Sequence, residues 1–169
     1  IKYSAIHKTV LNKVKSKLSS NTELMLFPFS IKKGANIYGV IFGATHLRAV
    51  DKFLEISWKK NEINGEANFD IDEDQSKGQF DIFGNRKLTK IEKFKDELKA
   101  QVFNGSIKTN EEALIFTYET GNFYRHANQY LKELKKEGKV FYEGKTPGIS
   151  YKNALNWKTK RIITYQPKS

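Results

Sequence analysis

The spacing of apolar residues predicts two amphipathic helices within the first sixty positions. In the first helix, every fourth residue is aliphatic: Ile6, Val10, Val14 and Leu18. Such a repeat places all four on one face of a helix over 5–18, with lysines on the outer face and Ser4 as the cap. The second helix follows Thr45 as its cap, and its apolar face consists of Leu47, Val50, Leu54 and Trp58.

Between these helices, two apolar runs predict a β-hairpin. The runs "ELMLFPFSI" and "IYGVIFGA" are rich in β-branched and aromatic residues, and Gly34 suits the turn between them. Few charges interrupt either run, which is typical of strands that are covered on both faces. We therefore expect residues 1–60 to be the end of a larger α/β domain. The chain begins at Ile1 without an initiator Met, so we also expect a fragment or a processed product.

A polar, acidic and Gly-containing segment over 61–85 predicts a linker that limited proteolysis should cut first. Four of its carboxylates have the spacing of calcium-loop positions 1, 3, 5 and 12: Asp70, Asp72, Asp74 and Asp81. However, Gln75 stands where the loop turn needs Gly, and Asp81 stands where a bidentate Glu is needed. We therefore predict no metal site here.

The order of elements over 86–169 predicts a winged helix–turn–helix. A helix over 87–103 and the extended "SIK" precede a helix that Thr109 and Glu112 can open with a capping box. The third helix covers 122–138, with Asn122 as its cap and Gly138 at its end. The strand "KVFY", a basic loop and the strand "WKTKRIITYQ" follow. The fold class is therefore α/β (α+β), a hairpin-and-helix fragment of a larger sheet followed by a winged helix.

Positive charge is concentrated in this last part of the chain. The net charge is +11, and residues 121–169 contain eleven Lys or Arg against three Glu. A basic patch of this density attracts polyanions, although it can also serve solubility alone. The sequence contains no Cys, which fits a reducing compartment, so we expect a cytoplasmic location. No apolar run approaches the length of a membrane span, and no membrane partner is expected.

The binding site is predicted on the third helix of the winged helix, over 122–138, because this helix has one apolar and one polar face. The apolar face should pack on the two preceding helices, and it consists of Ala127, Tyr130, Leu131 and Leu134. On the polar face, Arg can bind guanine, Asn and Gln can bind adenine, and Lys suits phosphates. The loop "EGKTPG" would be the wing. The predicted nucleic-acid-binding residues are Arg125, Asn128, Gln129, Lys132, Lys135, Lys136 and Lys145.

No pattern in the sequence predicts catalysis, a cofactor or a metal. His7, His46 and His126 lie on separate elements without metal-ligand spacing, and we expect His46 to form a local hydrogen bond. Glu97 and Lys99 match the ExK motif of some nucleases, but they lie in a helical pattern where that motif needs a strand. Gly-rich phosphate loops and the GxSxG motif are absent from the sequence.

The segment that contains the hairpin resembles the three-Cys-motif partner proteins, a prokaryotic family. The resemblance rests on Tyr38, Ile41, Phe42, Thr45 and the run "SWKK", and it extends through the winged-helix run to residue 141. It implies an upstream methyltransferase-like domain, of which residues 24–60 would be the last hairpin and helix. It also implies a link to nucleic-acid modification or phage defence.

These observations favour a module that binds nucleic acid, with duplex DNA preferred, in a larger prokaryotic DNA-modification or defence protein. Two alternatives remain open. The chain could be the C-terminal part of a methyltransferase-like or nuclease enzyme whose catalytic residues lie upstream. The winged helix could instead dock a protein. In each case we expect an upstream domain or a partner protein to cover residues 1–60.

Overall fold

A computed structural model describes residues 3–19, 23–71 and 88–168. The chain divides into two compact units, 1–90 and 91–169. Residues 61–71 begin the predicted linker, yet they pack within the first unit, where Ala67 is fully buried. The remainder of the predicted linker, including Asp72, Asp74 and Asp81, lies outside the described residues. The division into 1–60, 61–85 and 86–169 therefore stays a prediction.

The first unit contains the predicted hairpin between two helices. Its elements are helix α1 (Tyr3–Lys15), strands β1 (Met25–Lys33) and β2 (Asn36–Ala44), and helix α2 (Leu47–Lys60). The strands pair antiparallel from Met25 opposite Ala44 to Lys33 opposite Asn36. Gly34 lies in the two-residue turn with a φ of 61°, a left-handed conformation that glycine adopts without strain.

Residues that follow α2 cover the outer edge of β1. The Ser30 N–H donates to the Glu66 carbonyl at 2.8 Å, and the Asn68 N–H donates to the Ser30 carbonyl at 3.0 Å. The Asn68 side chain also bonds both backbone groups of Lys32. In the described part of the chain, the sheet thus consists of two strands and one parallel bridge. Its continuation into a larger sheet stays a prediction.

Aromatic rings join α2 to the hairpin. The Phe53 ring of α2 stacks on Phe42 of β2 with 4.3 Å between ring centroids, and on Phe27 of β1 at 5.6 Å. The cap of α2 is His46 and not the predicted Thr45, because the His46 Nδ1 accepts a hydrogen bond from the Arg48 N–H at 3.2 Å. The expected local hydrogen bond of His46 is thereby confirmed.

The apolar face predicted for α1 is exposed in the structure. Val10 retains 46% of its accessible surface, and Ile6 and Val14 are exposed as well, whereas Leu11 is buried. The helix exists, but this unit turns a different side of it toward its core. The hairpin also exposes apolar side chains: Ile31, Tyr38, Val40 and Ile41. The upstream domain or partner protein expected to cover residues 1–60 stays a prediction.

The second unit is the predicted winged helix. Its helices are α3 (Lys90–Phe103), α4 (Asn110–Glu119) and α5 (Tyr124–Lys136), and its strands are β3 (Val140–Phe141) and β4 (Gln166–Pro167). A π-helical turn covers Tyr151–Leu155. The three helices bury one apolar side each around a common core that contains Phe94, Leu98, Val102, Ala113, Leu114, Ala127, Leu131 and Leu134.

The wing sheet has three short members. Strands β3 and β4 pair antiparallel, with Val140 opposite Pro167. Just before β4, Thr164 forms an antiparallel bridge with Thr109, the residue that precedes α4. The predicted strands are thus present near "SIK" and "KVFY", but the returning strand is paired over a shorter range than "WKTKRIITYQ" because residues 157–159 form a turn.

The ends of α4 and α5 follow the predicted signals with one exception. The capping box of Thr109 and Glu112 is complete. Gly121 and Gly138 have left-handed φ values of 67° and 72° and end their helices, as such glycines commonly do. Asn122 does not cap α5: the N-cap position is Phe123, without a side-chain cap hydrogen bond, and the Asn122 Nδ2 donates to Thr120 within the turn. In the described residues, no helix has the length and apolar character needed to cross a membrane.

Candidate nucleic-acid interface

Helix α5 presents a narrow polar stripe to solvent. Its exposed residues are four of those predicted to bind nucleic acid: Arg125, Gln129, Lys132 and Lys136. Spacings of four, three and four residues confine them to roughly 60° of the circumference, since a helix turns about 100° per residue. Leu131, on the buried side of the same helix, retains no accessible surface. The amphipathic pattern therefore produces one continuous exposed stripe.

Three of the four side chains in the stripe are cationic. The Arg125 guanidinium lies 5.4 Å from the centroid of the Phe123 ring, and the Gln129 amide donates to Glu133 at 3.2 Å. No described residue forms an ion pair with Arg125, Lys132 or Lys136. A charged surface of this kind attracts phosphates before any base is contacted.

The acidic residues beside the stripe have their own lysine partners. Glu133 pairs with Lys95 of α3 at 3.1 Å. Glu137 pairs with Lys139 at 2.7 Å, and this hydrogen bond lowers the pKa of the Glu137 carboxyl. Both acids are thus at least partly neutralised by neighbouring cations, so the stripe remains a positive surface.

Asn128 is on the flank of the stripe that faces the wing. Its Nδ2 donates to the carbonyls of Ile149 and Tyr124, and its Oδ1 accepts from the Ile149 N–H at 3.2 Å. Both polar groups of this side chain are therefore engaged with backbone. Through these bonds Asn128 holds Ile149, directly after the wing loop, against α5. A contact between Asn128 and a base stays a prediction.

Lys135 lies on the same flank and is also engaged. Its ammonium donates to the carbonyls of Tyr142 at 2.7 Å and Gly144 at 2.9 Å. It also lies 4.1 Å from the centroid of the Tyr142 ring. These contacts fix the first residues of the wing against α5. Phosphate binding by Lys135 stays a prediction, and it would require these hydrogen bonds to break.

The wing loop over 143–148 presents Lys145 to solvent, as expected. The loop is anchored at Pro147, whose carbonyl accepts a hydrogen bond from the buried Tyr165 hydroxyl at 2.7 Å. Burial raises the pKa of Tyr165 far above its ordinary value, with a smaller contribution from Tyr142. Tyr165 therefore remains a neutral donor, and the base of the wing stays fixed across the physiological pH range.

Asn110 joins the wing to the start of α4, and nothing in the sequence pattern indicated this role. The residue is fully buried, and its Nδ2 donates to the carbonyls of Gly148 at 3.2 Å and Arg161 at 2.9 Å. Its Oδ1 accepts from the Ile163 N–H at 2.9 Å. An Asn directly after a helix cap resembles an ordinary helix start, and all three partners are distant in sequence.

Two other candidate features can be compared with the described residues, a metal cluster and the ExK motif. No cluster of three or more His, Asp or Glu in them has a geometry that could hold a metal ion. Glu97 and Lys99 lie within α3, so the ExK resemblance falls on a helix, as the sequence indicated.

Comparison with known proteins agrees with the fold. A family model described as "GMT-like wHTH domain" matches residues 68–147, a segment that includes α3, α4, α5, β3 and most of the wing loop. The match ends at residue 147 and does not include the π-helical turn or β4. No curated protein and no solved structure matches the chain. The family match and the arrangement of elements together identify the second unit as a winged helix domain.

Proposed function

We propose that the winged helix binds duplex DNA through the exposed stripe of α5 and the wing. The observation that carries this proposal is the stripe itself, in which Arg125, Gln129, Lys132 and Lys136 share one face. In helix–turn–helix proteins this helix enters the major groove, where Arg and Gln side chains can bind base edges. The match to a winged helix family supports a DNA-binding module.

The residues of the proposed interface have different roles. Arg125 and Gln129, one turn apart near the start of α5, would contact bases. Lys132, Lys136 and Lys145 would contact phosphates, which position the protein without reading sequence. Asn128 and Lys135 hold the wing against α5 through the hydrogen bonds described above. Their substitution should disturb the interface indirectly.

A selection from random duplexes, followed by binding measurements with variants of the full chain, tests the proposal. Arg125→Ala and Gln129→Ala should each lose roughly 1–3 kcal/mol of discrimination between the selected and a random duplex, since each removes a base contact. Lys132→Ala should weaken binding to both duplexes equally, because it removes one phosphate contact. Lys93→Ala, an exposed Lys of α3 outside the stripe, is the matched control.

Two results would contradict the proposal. The first is a selection that enriches no sequence, together with duplex affinities that are the same for all four variants. The second is an equal loss of affinity for Lys132→Ala and for the Lys93→Ala control, because that would assign binding to overall charge. If all four variants fold and bind duplex as tightly as the unmodified chain, a winged helix that docks a protein would be favoured instead.

The wider context belongs to the same proposal. The resemblance to the three-Cys-motif partner proteins supports a module of a larger, cytoplasmic prokaryotic protein with a methyltransferase-like domain and a role in DNA modification or defence. The exposed apolar residues Val10, Tyr38 and Val40 of the first unit support a covering domain or partner protein. Addition of the upstream sequence should abolish binding of a hydrophobic dye such as ANS to this unit. Undiminished dye binding by the longer protein would contradict that part.

A further inference from the structure

Beside the wing loop, the second unit contains an open groove that shares only Lys145 with the proposed duplex contact. The groove lies between residues 143–148 and 158–164 and has a volume of about 900 Å³. Except for residues 143–146, its lining lies beyond the segment that matches the winged helix family. The groove is thus a feature of the long excursion between β3 and β4.

The lining of the groove is strongly cationic. Its charged side chains are Glu143, Lys145, Lys152, Lys158, Lys160 and Arg161. Lys160 is paired with Glu111 at 2.6 Å. The other four cations form no ion pair with any described residue. Like charges that share a concave surface repel one another, and a polyanion relieves this repulsion. The groove is therefore suited to several phosphates in succession.

An exposed aromatic side chain contacts a lysine of the groove lining. Trp157 retains 83% of its accessible surface, whereas Trp58 in the first unit retains 3%. Lys158, which lines the groove, lies with its ammonium 5.1 Å from the centroid of the Trp157 ring. Cations that follow a backbone, together with an aromatic face beside them, are the usual components of a site for unpaired nucleotides.

Hydrogen bonds hold the two walls of the groove in place. Asn110 bonds Gly148 on one wall and Arg161 on the other, as described above. The Thr159 hydroxyl donates to the Lys152 carbonyl, and the Ser150 hydroxyl caps the π-helical turn by accepting from the Asn153 N–H. The walls are thus set before any ligand arrives, which lowers the entropic cost of binding.

We propose that this groove binds a short segment of single-stranded nucleic acid. Lys152, Lys158 and Arg161 would contact successive phosphates, and Trp157 would stack on one base. A single strand fits better than a duplex for two reasons. Bases within a duplex are stacked on each other and offer no free face to Trp157. The volume is also within the range of about 300–1,000 Å³ of small-molecule pockets, which suits a few nucleotides.

Trp157 provides the measurement. Addition of a twelve-residue oligothymidylate to the full chain should quench tryptophan fluorescence in a saturable way, and Trp157→Phe should abolish the quenching because Trp58 is buried. In a separate assay with a labelled oligonucleotide, Trp157→Ala should weaken binding roughly five- to 150-fold, the range that corresponds to the loss of one base stack. Oligouridylate of the same length in a parallel series distinguishes DNA from RNA.

Charge is tested with a triple variant and a matched control. Lys152→Ala, Lys158→Ala and Arg161→Ala together should lower the salt slope of single-strand binding by about two, at roughly 0.7 per phosphate contact. The control removes the same charge from exposed lysines of the first unit: Lys13, Lys33 and Lys60. Absence of quenching, or equal losses for the two triple variants, would overturn the inference.

The inference goes beyond the proposed duplex contact, and the two can fail separately. Arg125→Ala and Gln129→Ala should leave single-strand affinity unchanged, because neither residue lines the groove. If these two variants lose duplex discrimination while the groove variants leave single-strand binding intact, the groove inference alone is wrong. If the groove variants lose single-strand binding and no variant affects duplex binding, the duplex proposal alone is wrong.

Discussion

Replacement of Asn110 by Ala should destabilise the winged helix more than its place at a helix start would indicate. The substitution removes three side-chain hydrogen bonds, to Gly148, Arg161 and Ile163. At about 0.5–1.5 kcal/mol for each bond, the loss is about 1.5–4.5 kcal/mol. The better helix propensity of Ala returns roughly 0.5 kcal/mol. We therefore expect the free energy of unfolding of this unit to fall by about 1–4 kcal/mol.

Amide hydrogen exchange under native conditions measures this loss in the right part of the chain. The slowest amides of α4 and α5 report the free energy of unfolding of the second unit, independently of the first. Asn104→Ala is the control, because the Asn104 side chain accepts one exposed hydrogen bond from Ser106. If Asn110→Ala and Asn104→Ala change the exchange of these amides by the same amount, the proposed link between wing and α4 is refuted.

Two further predictions concern stability. Leu131→Ala should lower the free energy of unfolding of the second unit by roughly 2–5 kcal/mol, because the side chain is fully buried. Hydrogen exchange of the α5 amides measures this loss. A loss below about 1 kcal/mol would contradict the prediction. Hydrogen bonds from the Lys108 and Thr109 N–H groups lower the pKa of Glu112 from its ordinary value of 4.5. The resulting stability is present above pH 4.5 and is lost as the pH falls through the lowered pKa, so Glu112→Gln should flatten the acid limb of stability measured by urea unfolding. Identical acid limbs for both proteins would contradict this.

Local signals in the sequence were sufficient for most elements of the winged helix. The capping box of Thr109 and Glu112 and the glycines at 121 and 138 depend on interactions within a few residues, and each marks a helix end in the structure. The spacing of Leu131 and Leu134 likewise determines which side of α5 is buried. Such features are encoded locally, so periodicity and cap chemistry can reveal them.

Side-chain roles that depend on distant partners could not be predicted in this way. Asn128 and Lys135 have the polar character of a binding face, but the wing returns to α5 and their polar groups bond its backbone. Their place on the flank of the stripe follows only from the path of residues 142–149. The exposure of Val10 had a similar cause, because a repeat shows that a helix has an apolar face without showing what covers it.

The groove beside the wing was missed for a related reason. Lys152, Lys158 and Arg161 occur in a stretch without helical or strand periodicity, so the sequence showed only a high density of charge. The turn over 157–159 and the bonds of Asn110 bring these residues around one concavity. Neither feature has a sequence signature of its own.

A salt series of duplex binding by the full chain tests the central claim most directly. In the proposed duplex contact three cations bind phosphates, Lys132, Lys136 and Lys145, and at about 0.9 per phosphate contact they account for roughly 2.7 of the slope of log K against log salt. The double variant Lys132→Ala with Lys136→Ala should lower the slope by about 1.8 relative to the unmodified chain, while Lys93→Ala should leave it unchanged. A slope that is the same for the unmodified chain and the double variant would contradict duplex binding through the stripe of α5.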